Sequence, residues 1–169
     1  MKITIEKLKT YRIFDNLENK IVEKFHKKLK LKTIPKDRTI IKEGEEGDSL
    51  IFLLDGEASI SQVLTLMTNR HREDNREKEV KKISAKDYPV FGEISLFSDN
   101  EKRSATITAL TDCHIGILME NDFFAICESH PDIGYKVLGN LSRIISNHLI
   151  KANKDILKLT TAFSLILEK

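Results

Sequence analysis

The sequence predicts a mainly β fold with helical segments at both ends. Three observations predict it. From about Lys30 to Met119 the chain breaks into short hydrophobic runs separated by Gly, Asp and Pro, the pattern of regularly spaced strands. On either side of that region apolar residues recur at three- and four-residue steps, as on one face of a helix. The length of 169 residues is about that of one domain, and 40% hydrophobic residues is enough for a core.

Taken in order, Asp15 with Glu18 has the form of an aspartate capping box and predicts a helix start. Leu17, Ile21, Val22, Phe25 and Leu29 then share one face. Strands are expected at Leu31–Ile34, Thr39–Lys42, Leu50–Leu54, Ala58–Val63, Val80–Ile83, Thr106–Ala109 and His114–Leu118. Short strands at this spacing suggest a sandwich or a jelly-roll barrel. Asp122 is a second plausible helix cap, ahead of Phe123, Phe124 and Ile126. A long helix is expected from Pro131, a residue suited to a first helical turn.

Composition excludes several classes. The net charge is +2, with both signs mixed through the 32% charged residues, so there is no global case for a nucleic-acid or membrane binder. Cys113 and Cys127 form no C-x-x-C pair and no disulfide framework, which argues against structural zinc and iron–sulfur clusters. No apolar run approaches the roughly 18 residues of a membrane span. The N-terminus, MKITIEKLK, carries charges where a signal peptide is apolar. A cytoplasmic protein in a reducing compartment is expected.

The segment richest in chemistry is Phe91–Gly92–Glu93–Ile94–Ser95–Leu96, followed by Arg103–Ser104–Ala105. Gly92 lets backbone approach a ligand closely. The residues after it suit a short helical turn whose free amides face an anion. Arg103 offers a planar fork that fits a phosphate bidentately. Glu93 would repel a bare phosphate, but it suits a ligand with a hydroxyl near its phosphate, such as a ribose 2′-OH. Together these residues describe a nucleotide pocket, and a single arginine suits one negative charge better than a triphosphate.

Phe91 to Ala109, FGEISLFSDNEKRSATITA, resembles the phosphate-binding cassette of the cyclic nucleotide-binding domain family. Two further stretches carry the same resemblance. Ile40–Asp48 is similar to the family's hydrophobics followed by E-G-x-x-G-D, and Ser49–Gly56 to its next strand and turn. Phe123, Phe124 and Pro131–Asp132–Ile133 fall where the family has its terminal helices.

The resemblance implies a cyclic nucleotide-binding jelly-roll β-barrel with an N-terminal helix and two C-terminal helices. It implies a single domain over 1–169, with a helical segment at 1–29, a β-roll at 30–119 containing the cassette at 91–105, and helices at 120–169. It also implies that cAMP or cGMP is the ligand, with no cofactor and no metal. Glu93 would bind the ribose 2′-OH and Arg103 the cyclic phosphate. Backbone donors would come from Gly92–Ser95, and Ser104 would also touch phosphate. Ser104, where some cGMP binders have Thr, leans toward cAMP. The chain departs from the family at Lys102, where Pro is common, at Ser95, where Ala or Gly is common, and at Lys86–Asp87–Tyr88–Pro89, which replaces a Gly-Asp turn.

Leu138, Leu141, Ile145, His148 and Ala152, then Ile156, Leu159, Phe163 and Ile166 after a phase slip, form a stripe close to a heptad seam. The resemblance favours a homodimer through this C-terminal helix; packing back on the barrel as a lid is the alternative. His148 is either a contact to the nucleotide base, with Ile145 and Leu149 as stacking surfaces, or a seam histidine with a structural partner.

Two charged stretches each have two readings. The stretch from Thr68 to Lys82 is a solvated hairpin tip or a partner-docking loop. The cluster Lys24, Lys27, Lys28, Lys30 and Lys32 is a solvated helix end or an RNA or lipid site.

His26, His71, His114, His130 and His148 are scattered, with no H-x-H or H-E-x-x-H pattern, and there is no G-x-S-x-G elbow or P-loop. The protein is therefore expected not to be an enzyme. It is expected to be a sensor acting on an unknown downstream protein. A fold that no longer binds and serves as an interaction module is the alternative. With the chain stopping at Lys169, no helix-turn-helix DNA-binding domain is expected.

Overall fold

A computed structural model of the chain describes residues 3–63, 77–98 and 102–167. Two four-stranded antiparallel sheets face each other, with helices packed on one of them. The strands are β1 (Lys30–Ile34), β2 (Thr39–Ile41), β3 (Ser49–Asp55), β4 (Glu57–Val63), β5 (Glu77–Ser84), β6 (Val90–Phe91), β7 (Thr106–Ala109) and β8 (Cys113–Met119). The first sheet runs β1-β8-β3-β6 and the second β2-β7-β4-β5. The helices are α1 (Ile5–Lys9), α2 (Asn19–Lys28), α3 (Glu93–Leu96), α4 (Glu120–Ser129) and α5 (Pro131–Leu167). The expected β-roll with flanking helices is the fold observed. The two-residue β6 and the short α1 carry too little pattern to be read from sequence.

The unbroken apolar run in β3 has a direct structural cause. Ile51 and Leu53 point between the sheets, beside Ile107, Cys113 and Ile115. Leu50, Phe52 and Leu54 point the other way, among Phe14, Phe25, Phe123 and Val137 from the helical layer. A strand covered on both faces needs no polar alternation. Each fully buried aliphatic or aromatic side chain contributes roughly 1.5–3 kcal/mol.

The N-terminal segment is fixed to this sheet by Tyr11, whose hydroxyl donates to Leu53 O at 2.6 Å while its ring packs edge-on against Phe52. Cys113 and Cys127 are free and buried, and burial pushes the Cys127 thiol up to about 11.

Two helix starts differ from expectation. Helix α2 has Glu18, not Asp15, at its N-cap position, and the Glu18 side chain makes no capping hydrogen bond. Asp15 instead closes a 3-10 turn at Arg12–Phe14, and Asn16 adopts a left-handed φ of 60°. The reason is tertiary: the buried Asn140 amide of α5 donates to Ile13 O at 3.1 Å and Asp15 O at 2.9 Å. Helix α4 starts at Glu120, whose N–H donates to Asp48 O at 2.8 Å. Asp122 therefore lies inside its first turn, paired with Lys28 at 2.9 Å. Lys27 pairs with Glu23 at 2.9 Å. Exposed pairs of this kind fit the solvated reading of the lysine cluster and are worth at most about 1 kcal/mol.

Of the charged stretch at 68–82, residues 68–76 lie outside the described residues, and 77–82 belong to β5 rather than to a loop. Helix α5 runs unbroken for 37 residues, about 55 Å. Among the described residues no helix is long and apolar enough to cross a membrane, and no group of His, Cys, Asp or Glu could hold a metal ion.

Replacing Asn140 with Ala should strand the buried carbonyl of Ile13 and take away a partner of the Asp15 carbonyl. The expected loss is about 1–3 kcal/mol, read as a lower urea midpoint at unchanged slope.

Candidate functional site

The site forms where two loops meet. The glycine loop at 43–48 connects β2 to β3, and residues 102–103 lie at the end of the cassette. Their backbones are laced together: Arg103 N–H donates to Glu45 O at 2.8 Å, Gly44 N–H donates to Arg103 O at 2.9 Å, and Glu46 bridges Lys102. Two motifs some sixty residues apart are therefore one structure.

This lacing aims Arg103 inward, where it is only 8% exposed, beside Glu93 at 7% and Ser95 at 2%. Arg103 Nη1 donates to Ser49 O at 2.9 Å and to Ser95 Oγ at 3.2 Å, and Nη2 donates to Ser49 Oγ at 3.0 Å. Ser95 in turn donates to Gly92 O at 3.0 Å. Burial pulls the Arg103 pKa below the ordinary arginine value, and the carboxylates of Asp48, Glu93 and Glu45 pull it back up.

Glycines make room for this side chain. Gly92, at φ 91°, caps α3, and a Cβ there would collide with Arg103 Nη1 and Ser49 O. A Cβ at Gly47 would run into the Ser95 side chain and press on Arg103 Cδ. Gly92 turns the chain so that Glu93, Ile94 and Ser95 form a first helical turn, where amides have no intrahelical acceptor.

The expected site residues separate into three groups. Glu93, Ser95 and Arg103 come together in the buried centre with Gly92. His148 reaches the same place from α5, its Nδ1 3.3 Å from Glu93 Oε1. The remaining cassette positions lie around them: Phe91 packs between the sheets, Ile94 is exposed, and Ala105 is half-buried. Ser104 is exposed, and its carbonyl accepts from Gln62 Nε2 at 2.9 Å.

Ser49 is the residue that sequence reasoning missed. Its signal was a lone hydroxyl opening an otherwise apolar strand, directly after the glycine loop.

The segment leading into the cassette is strained. Tyr88 adopts a left-handed φ of 49°, which costs a non-glycine residue roughly 1–2 kcal/mol. An edge-on contact with Tyr11, centroids 5.6 Å apart, helps hold it there.

Comparison with known proteins gives a consistent result. Residues 31–130 match the family model described as a cyclic nucleotide-binding domain. The chain is 29% identical over 113 residues to a cAMP-activated global transcriptional regulator of Pasteurella multocida, an alignment covering 67% of this chain and 49% of the regulator. It superposes on the Thermus thermophilus catabolite activator protein with a TM-score of 0.72 at 21% identity, covering 88% of this chain and 63% of that one. That likeness is one of fold alone. It is also similar to the regulatory domain of Toxoplasma gondii PKA, solved with cAMP, at a TM-score of 0.59 and 27% identity over 72% of this chain and 42% of that one. The chain spans about half the length of the curated transcriptional regulators it matches.

Two alanine substitutions separate backbone strain from crowding at the site. Gly44 also has a positive φ, 81°, but open space around its Cα. Gly44→Ala should cost about 1 kcal/mol, and Gly92→Ala a further 1–3 kcal/mol or so from overpacking. Equal losses in thermal unfolding would mean that Arg103 does not need the space at Gly92.

Proposed function

The chain belongs to the cyclic nucleotide-binding domain family, and on that premise we propose that it is a sensor binding cAMP or cGMP and signalling through α5. One observation carries the reading. Glu93 and Arg103 are buried in one site, yet among the described residues the close contact of the Glu93 carboxylate is with the His148 ring, at 3.3 Å, and not with Arg103. A ligand offering a phosphate to one and a hydroxyl to the other satisfies both.

In this reading the Arg103 fork and the amides of Gly92–Ser95 take the cyclic phosphate, with Ser104 at its edge. Glu93 accepts from the ribose 2′-OH. The base lies toward α5, near His148, Ile145 and Leu149, and Ser104 in place of Thr favours adenine.

The same geometry supplies a route for the signal. Glu93 pairs with His148 on α5. A ribose hydroxyl that takes Glu93 changes what holds His148, and so biases the position of the helix. The ligand shifts α5 only by its differential affinity for the two arrangements.

The far half of α5 supports a parallel homodimer as the receiver. Leu149, Ile156, Leu159, Phe163 and Ile166 are each more than half exposed. With Ala152 they step by three and four residues without interruption, which is a heptad seam. With Leu149 rather than His148 in the seam, the phase slip expected at 152–156 moves upstream to Ile145, ahead of the exposed half of the helix. Without nucleotide binding, the same seam would make the chain a dimerisation module.

Calorimetric titration with cAMP and, separately, cGMP tests the sensor: saturable binding near one per chain is expected, and no binding of either nucleotide to folded protein would leave only the module. Arg103→Ala should bind roughly tenfold more weakly or worse, a loss of about 1.4 kcal/mol or more. Unchanged affinity would remove the arginine from the phosphate site. Ile156→Glu with Leu159→Glu should convert a dimer to a monomer in sedimentation; a variant that stays dimeric would place the interface elsewhere.

A further inference from the structure

The hydrogen bonds of Arg103 divide its guanidinium into an anchored side and a presented edge. The group has five N–H donors fixed in one plane. Nη1 uses both of its hydrogens, one on Ser49 O and one on Ser95 Oγ, and Nη2 uses one on Ser49 Oγ. Because both Nη atoms bond the same residue, Ser49 sits on the end-on edge between them. Ser95 lies on the Cδ side of Nη1, which agrees with the crowding of Gly47 against both Ser95 Oγ and Arg103 Cδ. The two donors without a partner among the described residues, Nε–H and the second Nη2–H, lie side by side on the third edge. That pair is the parallel fork that matches two oxygens of one phosphate.

We infer that Ser49 and Ser95 are positioning residues that lock the inner side of Arg103 and present its Nε/Nη2 edge to the phosphate of the ligand. The inference rests on the nucleotide-binding reading above and goes beyond it by naming the edge and what holds it. Ser95 is buried and bonded on both sides, donating to Gly92 O and accepting from Arg103. It thereby ties the orientation of the guanidinium to the first turn of α3. With the planar group already oriented, less rotamer freedom is lost when the phosphate docks. An alanine at 95 would leave Nη1 one acceptor short and the fork free to rock about Ser49.

Arginine side-chain NMR of the full chain titrated with cAMP tests the edge, with Arg103→Lys assigning the resonance. The Arg103 Nε–H signal should shift and gain protection from solvent exchange as the nucleotide binds. In calorimetry, Ser95→Ala and Ser49→Ala should each weaken cAMP binding about three- to tenfold, with unfolding curves confirming that both variants fold. If Ser95→Ala does not fold, Ser49→Ala decides. Binding by wild type that leaves Nε–H unmoved, or wild-type affinity in the serine variants, overturns the inference while the sensor reading stands. Failure of wild type to bind either cAMP or cGMP overturns both.

Discussion

The structure around the site depends on burying one cation. A guanidinium removed from water costs several kcal/mol unless it is hydrogen-bonded and faced by opposite charge. Arg103 meets both conditions. Its inner donors are taken by Ser49 and Ser95, and the carboxylates of Asp48, Glu93 and Glu45 counter the effect of burial on its charge. The glycines follow from this arrangement. Gly92 and Gly47 stand where any side chain would strike Arg103 or the serine that holds it. The backbone lacing of the 43–48 loop to residues 102–103 is what aims the side chain inward.

The sheet behind the site turns this local arrangement into part of the fold. Strand β3 begins at Ser49, which holds Arg103, and continues through residues alternating between the inter-sheet core and the helical layer. The same loop caps α4 through Asp48 O and Glu120 N–H. The site, the double-sided strand and the first C-terminal helix therefore share a few consecutive residues. A disturbance at Arg103 has a short, packed path to the helices.

Helix α5 is divided between two environments along its length. Its root is buried: Ile133, Val137 and Leu141 enter the helical core, and Asn140 clamps the N-terminal turn. Near its middle His148 turns toward Glu93. Beyond that point the apolar residues are exposed on a regular seam. An element anchored at one end, touching the site in the middle and uncovered at the other suits the transmission of a change at Glu93 to whatever covers the seam.

Much of this was legible in the sequence because it rests on local pattern. Strand periodicity gave seven of the eight strands, Pro131 marked the start of α5, and the glycine loop and cassette motifs pointed to the family and to Glu93 and Arg103. These signals are local because they record what each segment demands of its own backbone: room at Gly92, alternation or continuity of burial in strands, a helical face in α5. Tertiary structure alone decided the rest. Asp15 and Asp122 look like helix caps, yet the clamp from Asn140 and the carbonyl of Asp48 set the starts elsewhere. Ser49 looks like the first residue of a strand and is the anchor of an arginine 54 positions away. His148 has two readings in the sequence, and its place 3.3 Å from Glu93 is visible only in the fold. In each case the deciding partner lies far along the chain, and a hydrogen bond between distant residues leaves no periodic trace in either segment.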